Sequence, residues 1–544
     1  MEPVEIQSQQ KSDSQTKHDL SRSPDHVKNL LSILKPNRVS NHYGLVVLAS
    51  VIKNTDEKLY DSMIEYLGKS KYKPSLEEIQ QVWAKETLPK FTVASLEWWL
   101  IEDDKPLYLR TVANSLKQIY IKDLYTFQDV SLMILATFGR MYKVGKLTSS
   151  WGSKPVSYVF TDGRWRRSDM WHIDLNVIDA LHYQLSSLLS ELVTTQGESV
   201  RGLVKSISSV LQKLGSVAFV QNVVRNVTYS ISGNSSDKNL LDALDSDVNL
   251  IGFNNGVYDL SIKAFRQSTP DDMVSLTTGN DYVADDLTES DEFKKQKREL
   301  DEYLSKVFVD ESVRTHILKS LAMTLAGRRV DIVSENNMSD ETVDDTSDNQ
   351  KRALSKKIKP FQVMKQVECS SGTTTFLNLV KKSFGEYLVQ MPCSSQGSVW
   401  RDIAHSYSRS SRALLFDPSY SDVALRELVE AIRVVQYECL RLRGDNFTPI
   451  LVTGPGEFEV FEKPCESGKH PNKCGLIKND TEFVVHPFES SFGDPRRPER
   501  KISSYPDSDL QNKKFVADMD IYEKITTPKK VQLFTRLLIE LLEK

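Results

Sequence analysis

The sequence has few cysteines, no long apolar run and little net charge. Its 544 residues include five cysteines, an odd and sparse set that fits a reducing compartment. No apolar run is long enough to span a bilayer, and the polar N-terminus does not resemble a signal peptide. The net charge of −4 gives no overall attraction to nucleic acid or to an anionic membrane, so binding to either requires a local patch. We therefore expect an intracellular protein without a membrane partner.

A structural metal site is not expected either. Cys465, His470 and Cys474 lie close together in sequence, but their spacing matches no common zinc pattern. Scattered thiols explain them better.

Composition and periodicity divide the chain into five segments. With 39% hydrophobic and 26% charged residues, the chain has the composition of an ordinary globular protein long enough for several domains. The N-terminal tail has almost nothing to bury, and a later segment carries blocks of like charge, so both are expected to be disordered. The predicted segments are a disordered tail (1–26), a small helical module packed around tryptophans (27–115), a mostly helical domain with a β element at 250–282 (116–327), a charged insertion (328–360) and an α/β domain (361–544).

Arginines and aromatic residues alternate between Trp151 and Trp171. Asp162-Gly163 lies between apolar β-prone residues and is a hairpin signature. Arg164, Arg166 and Arg167 beside these aromatics could pair with phosphates while the rings stack on bases. A hairpin packed around tryptophan with solvated arginines is the alternative interpretation.

Residues 361–387 contain an apolar strand, a turn of small residues and an amphipathic helix. This layout is that of a phosphate-binding P-loop, whose pattern is G-x-x-x-x-G-K-[ST]. Gly372 stands at the second glycine and Thr374 at the hydroxyl, but Thr373 stands at the lysine and Val367 at the first glycine. A strand-to-helix connection with an N-cap hydroxyl is the alternative interpretation.

The segment LIGFNNGVYDLSIKAFRQSTPDDMVSLTTGNDY, residues 250–282, closely resembles the one that introduces the helicase domain of poxvirus-type primase-helicases. TVASLEWWLIEDDKPLYL, in the helical module, is similar to a module found between primase and helicase in the same family of large-DNA-virus proteins. The resemblance implies an α-helical N-terminal half followed by an AAA+-like superfamily 3 helicase domain. It makes residues 361–387 a descendant of the family's P-loop.

The resemblance also implies that the catalytic motifs have been lost. The P-loop lysine is Thr373, the strand of the second motif ends in Asp417 without a second acid, and Gly454-Pro455 replaces the polar sensor. Asn479-Asp480-Thr481-Glu482 replaces the paired arginines, and only two basic residues remain near the DNA-contacting element. The nucleotide-binding remnant is Gly372, Thr373, Thr374, Thr375 and Asp417, and the basic residues are Arg441 and Arg443.

These motifs lead to one expectation and two alternatives. We expect a catalytically degenerate viral primase-helicase paralogue that is a scaffold or regulator in DNA replication or particle assembly. It would form a ring-shaped homo- or hetero-oligomer with a helicase relative, at a viral replication site in the host cell or in the virion, with DNA as a further partner. No cofactor is expected. The alternatives are an active helicase with a divergent P-loop, which would need ATP and Mg²⁺, and a virion structural protein.

Overall fold

The computed structural model forms two compact units, and each is described separately. Unit 1 comprises residues 1–243 and 268–273, and unit 2 comprises residues 244–267 and 274–544. Residues 268–273 thus belong to unit 1 although unit 2 flanks them in sequence. The structure describes residues 23–85, 88, 90–119, 126–149, 152–168, 170–194, 198–234, 240–283, 290–328, 359, 361–366, 371–391, 411–416, 429, 432–436, 447–453, 483–488, 491–493, 514–516, 518 and 520–543.

Unit 1 begins with four short helices that pack around a buried apolar core. Three of them have a side-chain cap at the first turn: Ser23, Asn41 and Ser75 each accept a hydrogen bond from a backbone N–H three residues later. The helices are α1 (Pro24–Ile33), α2 (His42–Thr55), α3 (Tyr60–Lys69) and α4 (Leu76–Ala84). The prediction that the disordered tail extends to residue 26 was wrong for residues 23–26, because Ser23 and Pro24 start α1. Residues 1–22 lie outside the described part of the chain.

Helix α5 (Val93–Ile119) is kinked in its middle. Asp104 has a non-helical φ of −163° and ψ of 83°, and Pro106 follows two residues later. Proline lacks an N–H and its ring clashes with the preceding turn, so a straight helix is disfavoured here. The Asp104 carboxylate accepts a hydrogen bond from Leu107 N at 3.0 Å and so caps the second half of α5.

A three-stranded antiparallel sheet follows helix α6 (Phe127–Phe138). Its strands are β1 (Tyr142–Ser149), β2 (Gly152–Thr161) and β3 (Arg164–Ser168), in the order β1-β2-β3. Asp162 (φ 49°) and Gly163 (φ 71°) form the turn between β2 and β3. Two consecutive residues with positive φ are the mark of a type I′ hairpin, so the predicted hairpin is present.

The remaining helices of unit 1 are α7 (Met170–Val193), α8 (Glu198–Leu214), α9 (Val217–Asn234) and α10 (Leu240–Ala243). Apolar residues at helical spacing form their buried faces, among them Leu181, Leu185 and Ile207. Within the described residues, no single helix combines the length and apolar character needed to cross a membrane. Arg201–Leu214 and Val217–Ile231 reach that length and apolarity only as a pair, across a bend of 97°.

Unit 2 begins with a small antiparallel sheet. Strands β4 (Leu250–Phe253), β5 (Gly256–Asp259) and β6 (Ala264–Arg266) pair in that order. Asn254-Asn255 forms the first turn, where the sequence predicted it. The Asp259 carboxylate and Arg266 form a buried ion pair at 3.1 Å, so both charges are satisfied inside the sheet.

The centre of unit 2 is a five-stranded parallel sheet with the order β11-β7-β10-β9-β8. In chain order this is fifth, first, fourth, third, second. The strands are β7 (Phe361–Gln366), β8 (Leu388–Met391), β9 (Ala413–Phe416), β10 (Thr448–Thr453) and β11 (Phe483–Phe488). A two-stranded parallel sheet, β12 (Ser491–Gly493) with β13 (Lys514–Val516), follows β11.

Helices cover both faces of the parallel sheet, as its apolar strands require. Met364, Leu415 and Ile450 face one core with the main helices of unit 2, whereas Val363 and Leu451 face a second core with Val429, Ile432 and Val435. The helices of the first core are α11 (Asp291–Val307), α12 (Glu311–Leu325), α13 (Thr373–Phe384), α14 (Ile521–Ile525) and α15 (Pro528–Glu543).

The predicted fold class is confirmed at the level of a helical N-terminal half and a parallel sheet in the C-terminal part. The predicted boundaries at residues 26/27, 115, 327 and 360 remain predictions as domain limits. Of the charged insertion 328–360, the structure describes only Arg328 and Lys359.

Candidate functional site

The turn predicted to be a P-loop remnant lies at the switch point of the parallel sheet. Strands β7 and β10 are neighbours in the sheet. The connection from β7 runs towards β8 at one end of the sheet, and the connection from β10 runs towards β11 at the opposite end. Adjacent strands with oppositely directed connections form a crevice at their carboxyl ends, where ligands bind in open α/β sheets. Gly372, after β7, has a φ of 78° and directly precedes α13. Only glycine adopts this left-handed conformation without strain.

The hydroxyls at this turn differ in their environment. Thr373, at the lysine position of the motif, is 1% exposed, and its Oγ1 lies 2.7 Å from Ser371 Oγ. Thr374 is exposed and Thr375 is half-buried. The amides of the first turn of α13 have no intrahelical partner, as in any helix. No side chain of a described residue caps them. Such amides attract anions, but the side chain at position 373 is neutral and bonded to its neighbour.

Two arginines of unit 2 near the sheet interact with groups away from the Gly372 turn. Arg412 precedes β9 and donates to the carbonyls of Leu250 (2.7 Å) and Leu325 (2.8 Å), and Arg433 lies 4.6 Å from the ring of Phe361, the first residue of β7. Both therefore lie at the amino edge of the sheet, opposite the Gly372 turn. Lys365, near the end of β7, alternates with Met364 and so points to the face without α13.

Several predicted site residues lie outside the described part of the chain. They are Asp417, Arg441 and Arg443, together with the sensor position Gly454-Pro455, the segment 479–482 and the cysteine-histidine group 465–474. Among the described residues, no group of three or more His, Cys, Asp or Glu side chains could hold a metal ion. The assignment of the nucleotide-binding remnant stays a prediction.

The structure separates the three predicted arginines of the hairpin. Arg164 is half-buried at the turn, whereas Arg166 and Arg167 are exposed on β3. Arg166 forms an ion pair with Asp162 at 3.1 Å. Arg167 pairs with Tyr158 across the sheet, so it projects from the face opposite Arg166. The hairpin contacts α5 through Trp98 and Phe160, whose ring centroids lie 4.7 Å apart.

A cluster of charges at the α5 kink was missed by sequence reasoning. Arg38 binds the Asp103 carboxylate with Nε (3.0 Å) and Nη2 (2.9 Å) and the Trp99 carbonyl with Nη2 (3.1 Å). Lys35 donates to the Asp103 carbonyl at 2.9 Å. Cations on the last carbonyls of a helix segment stabilise its end. Neither the break at EDDKP nor the distant arginine that supports it was predicted from the sequence.

Residues 268–273 hold the start of α5 and the hairpin together. The Asp271 carboxylate accepts hydrogen bonds from Thr92 N (2.9 Å) and Ser95 Oγ (2.8 Å) at the first turn of α5. Trp165 Nε1 donates to the Pro270 carbonyl at 2.9 Å. Burial raises the pKa of the Asp271 carboxyl, although these donors oppose that shift. Pro270-Asp271, which lies within the segment 250–282 that carries the resemblance, therefore has a structural role within unit 1.

A family model described as D5 N terminal like matches residues 148–309. The match begins within the unit 1 sheet and ends after α11, so it includes the segment 250–282 that carried the resemblance. The match agrees with the resemblance to the primase-helicase family of large DNA viruses.

Two curated viral proteins are similar to this chain. "Putative helicase L207/L206" of Acanthamoeba polyphaga mimivirus is 24% identical over 326 residues, which cover 55% of this chain and 31% of that protein. "Putative helicase 184R" of Invertebrate iridescent virus 6 is 36% identical over 92 residues, 17% of this chain and 9% of that protein. The matches thus span less than a third of either relative, and activities of the whole relatives do not transfer directly.

Proposed function

We propose that this primase-helicase relative is a catalytically degenerate paralogue that is a scaffold or regulator in viral DNA replication or particle assembly. Its partner would be a ring of an active helicase relative or a ring of its own copies. In either case the chain would be a structural and binding component of the ring and would not hydrolyse ATP.

The environment of Thr373 carries this proposal. A P-loop lysine extends from this position to the β- and γ-phosphates and supplies their counter-charge. Thr373 is instead short, neutral, buried and bonded to Ser371. Losing one preorganised electrostatic group typically lowers turnover by about a hundred- to a thousandfold.

The sheet order supports an AAA+-like origin of unit 2. The strand that leads to the turn is flanked by the fourth and fifth strands in chain order, and the turn borders the switch point. This is the placement that a nucleotide-binding turn requires in a parallel sheet. The strand order is therefore that of a nucleotide-binding fold, but Thr373 cannot supply the positive charge that phosphate transfer needs.

One observation favours the alternative of an active helicase with a divergent P-loop. The amides at the start of α13 have no side-chain cap among the described residues, and Thr374 is exposed, so phosphate and Mg²⁺ could still approach. In that case Thr373, Thr374 and Asp417 would be the functional residues, with ATP and Mg²⁺ as cofactors.

A binding and hydrolysis assay separates the two functions. We expect the wild-type chain to hydrolyse no ATP above background with Mg²⁺ and single-stranded DNA. Thr373→Lys should not restore turnover, because the second acid, the sensor and the arginines are also replaced. Thr375→Lys, which adds the same charge two residues later, is the matched control. Turnover by the wild type, or turnover gained by Thr373→Lys alone, would establish the active alternative.

Partner capture tests the regulatory role. We expect the tagged chain to co-purify from infected cells with a helicase subunit or to form a ring by itself in a size measurement. A strict monomer without such a partner would contradict the proposal. Abundance in purified particles without a helicase partner would instead support a structural role in the virion.

A further inference from the structure

Unit 1 contains a cleft of about 640 Å³ between α5 and the hairpin, which we call the hairpin cleft. Trp98 and Glu102 line it from α5 before the kink at Asp104, and Lys105 lines it after the kink. Tyr142 and residues 159–162 and 166–168 line it from the sheet. Its volume lies within the range of sites that hold small molecules.

The rim of the cleft carries more available positive than negative charge. Its ionisable side chains are Lys105, Arg166 and Arg167 against Glu102 and Asp162. Both carboxylates already have cations: Glu102 binds Arg38 at 3.1 Å and Asp162 binds Arg166 at 3.1 Å. Lys105 and Arg167 are exposed, and neither forms an ion pair with another described residue. The rim is therefore locally cationic on a chain whose net charge is −4.

The inner wall of the cleft is aromatic and apolar. Trp98 and Phe160 meet edge to face, and Tyr142, Phe138 and Met141 complete this surface. Trp98 is 8% exposed, and its buried Nε1 lies next to Glu102. Burial raises the pKa of the Glu102 carboxyl, and Arg38 and the Trp98 indole oppose that shift. The cleft therefore presents the aromatic rings to a ligand rather than a free indole N–H.

A ligand for this cleft must combine a flat, partly apolar group with a flanking anion. We propose that the hairpin cleft binds single-stranded nucleic acid, with one base against the Trp98 and Tyr142 side and the flanking phosphates on Arg167 and Lys105. Aromatic surface beside a cationic rim is the combination by which proteins hold single strands. The bases of a duplex are stacked and paired, so a duplex would reach only the rim.

Charge reversal at the rim tests this site in the full-length chain without ATP, so the result does not depend on whether the chain hydrolyses nucleotide. The probe is a fluorescein-labelled oligothymidylate of about 20 nucleotides, measured by fluorescence anisotropy between about 50 and 200 mM salt. We expect Arg167→Glu to weaken binding about five- to tenfold and to reduce the salt slope by about one. Lys105→Glu should have a similar effect.

Lys28→Glu is the matched control, since Lys28 is an exposed lysine on α1 outside the cleft and the change in charge is the same. We expect this variant to bind within about twofold of the wild type. A 5-iodouracil-containing strand should also form photo-crosslinks that mass spectrometry maps to Trp98 or Tyr142. Absence of binding by the wild type, equal weakening in Lys28→Glu, or crosslinks confined to unit 2 would overturn the proposal. Unlabelled duplex DNA or an acidic peptide that competes as well as the single strand would also overturn it.

Discussion

The two units use their cations differently. In unit 1, Arg167 and Lys105 lie exposed around a cleft, and Arg38 holds the helix kink beside it. In unit 2, Arg412 and Arg433 bind backbone carbonyls at the amino edge of the parallel sheet, away from the Gly372 turn, and Lys365 near the end of β7 lies on the face without α13. A nucleotide-hydrolysing site needs cations at the carboxyl edge, beside the phosphates. Unit 1 therefore has exposed cations beside a cleft, whereas Arg412 and Arg433 of unit 2 stabilise the fold.

The largest effect is expected from removing the structural cation of unit 2. Arg412 donates to two carbonyls within 2.8 Å and lies 4.4 Å from the Tyr387 ring. Arg412→Met leaves these buried acceptors without a donor, so we expect unit 2 to lose about 3–5 kcal/mol. Arg412→Lys keeps the charge without the planar fork and should lose less.

Hydrogen exchange followed by mass spectrometry measures this effect in each unit separately. Protection should fall in β9 and β10 and stay unchanged in α5. If both Arg412 variants keep wild-type protection in unit 2, the role assigned to this cation is wrong.

The next effect concerns pH and unit 1. Burial, together with the nearby Arg140 charge, lowers the pKa of His26 from 6.5 to about 4, and the ring is held neutral beside Ser115 Oγ at 2.9 Å. The unfolded chain binds the proton first as the pH falls, so stability is fully present above about 6.5 and is lost towards about 4. The loss should be on the order of 2–3 kcal/mol.

Urea unfolding of the wild type and of His26→Gln between these pH values checks the assignment. The variant should be less stable at neutral pH but should lose this part of the pH dependence. Parallel pH curves for the two proteins would show that another group titrates.

The smallest of the three effects concerns residues 268–273. Asp271→Asn keeps the size of the side chain but removes one of the two carboxylate acceptors for Thr92 and Ser95. We expect unit 1 to lose about 1–2 kcal/mol. Asp291→Asn, in the exposed first turn of α11, should change stability by less than about 0.5 kcal/mol. Equal losses in both variants would remove the special role of Asp271.

Local chemistry made part of this fold predictable. Asp162-Gly163 specified a turn because positive φ at two consecutive residues needs such residues. The apolar runs that became β7 and β9 were visible as strands in the sequence. Strand β1 was not predicted, since Gly145 and a mixture of lysine and apolar residues give it no clear alternation.

Long-range contacts were beyond sequence reasoning. Arg412 bonds to the Leu250 carbonyl 162 positions away, and Asp271 to Thr92 179 positions away. Such pairs leave no periodic signal. The same limit applies to the hairpin cleft, because the arginines were visible as candidates while the kinked helix opposite them was not. The order of the parallel strands also depends on tertiary packing rather than on any strand's own pattern.

The assignment of residues 268–273 to unit 1 bears on how the protein can be divided. A fragment that stops at Ala243 would leave the Trp165 indole without its carbonyl acceptor and the first turn of α5 without its carboxylate. Such a fragment would lack residues 268–273, which stabilise the rest of unit 1. An expression fragment of unit 1 therefore has to include residues 268–273, although unit 2 flanks them in sequence.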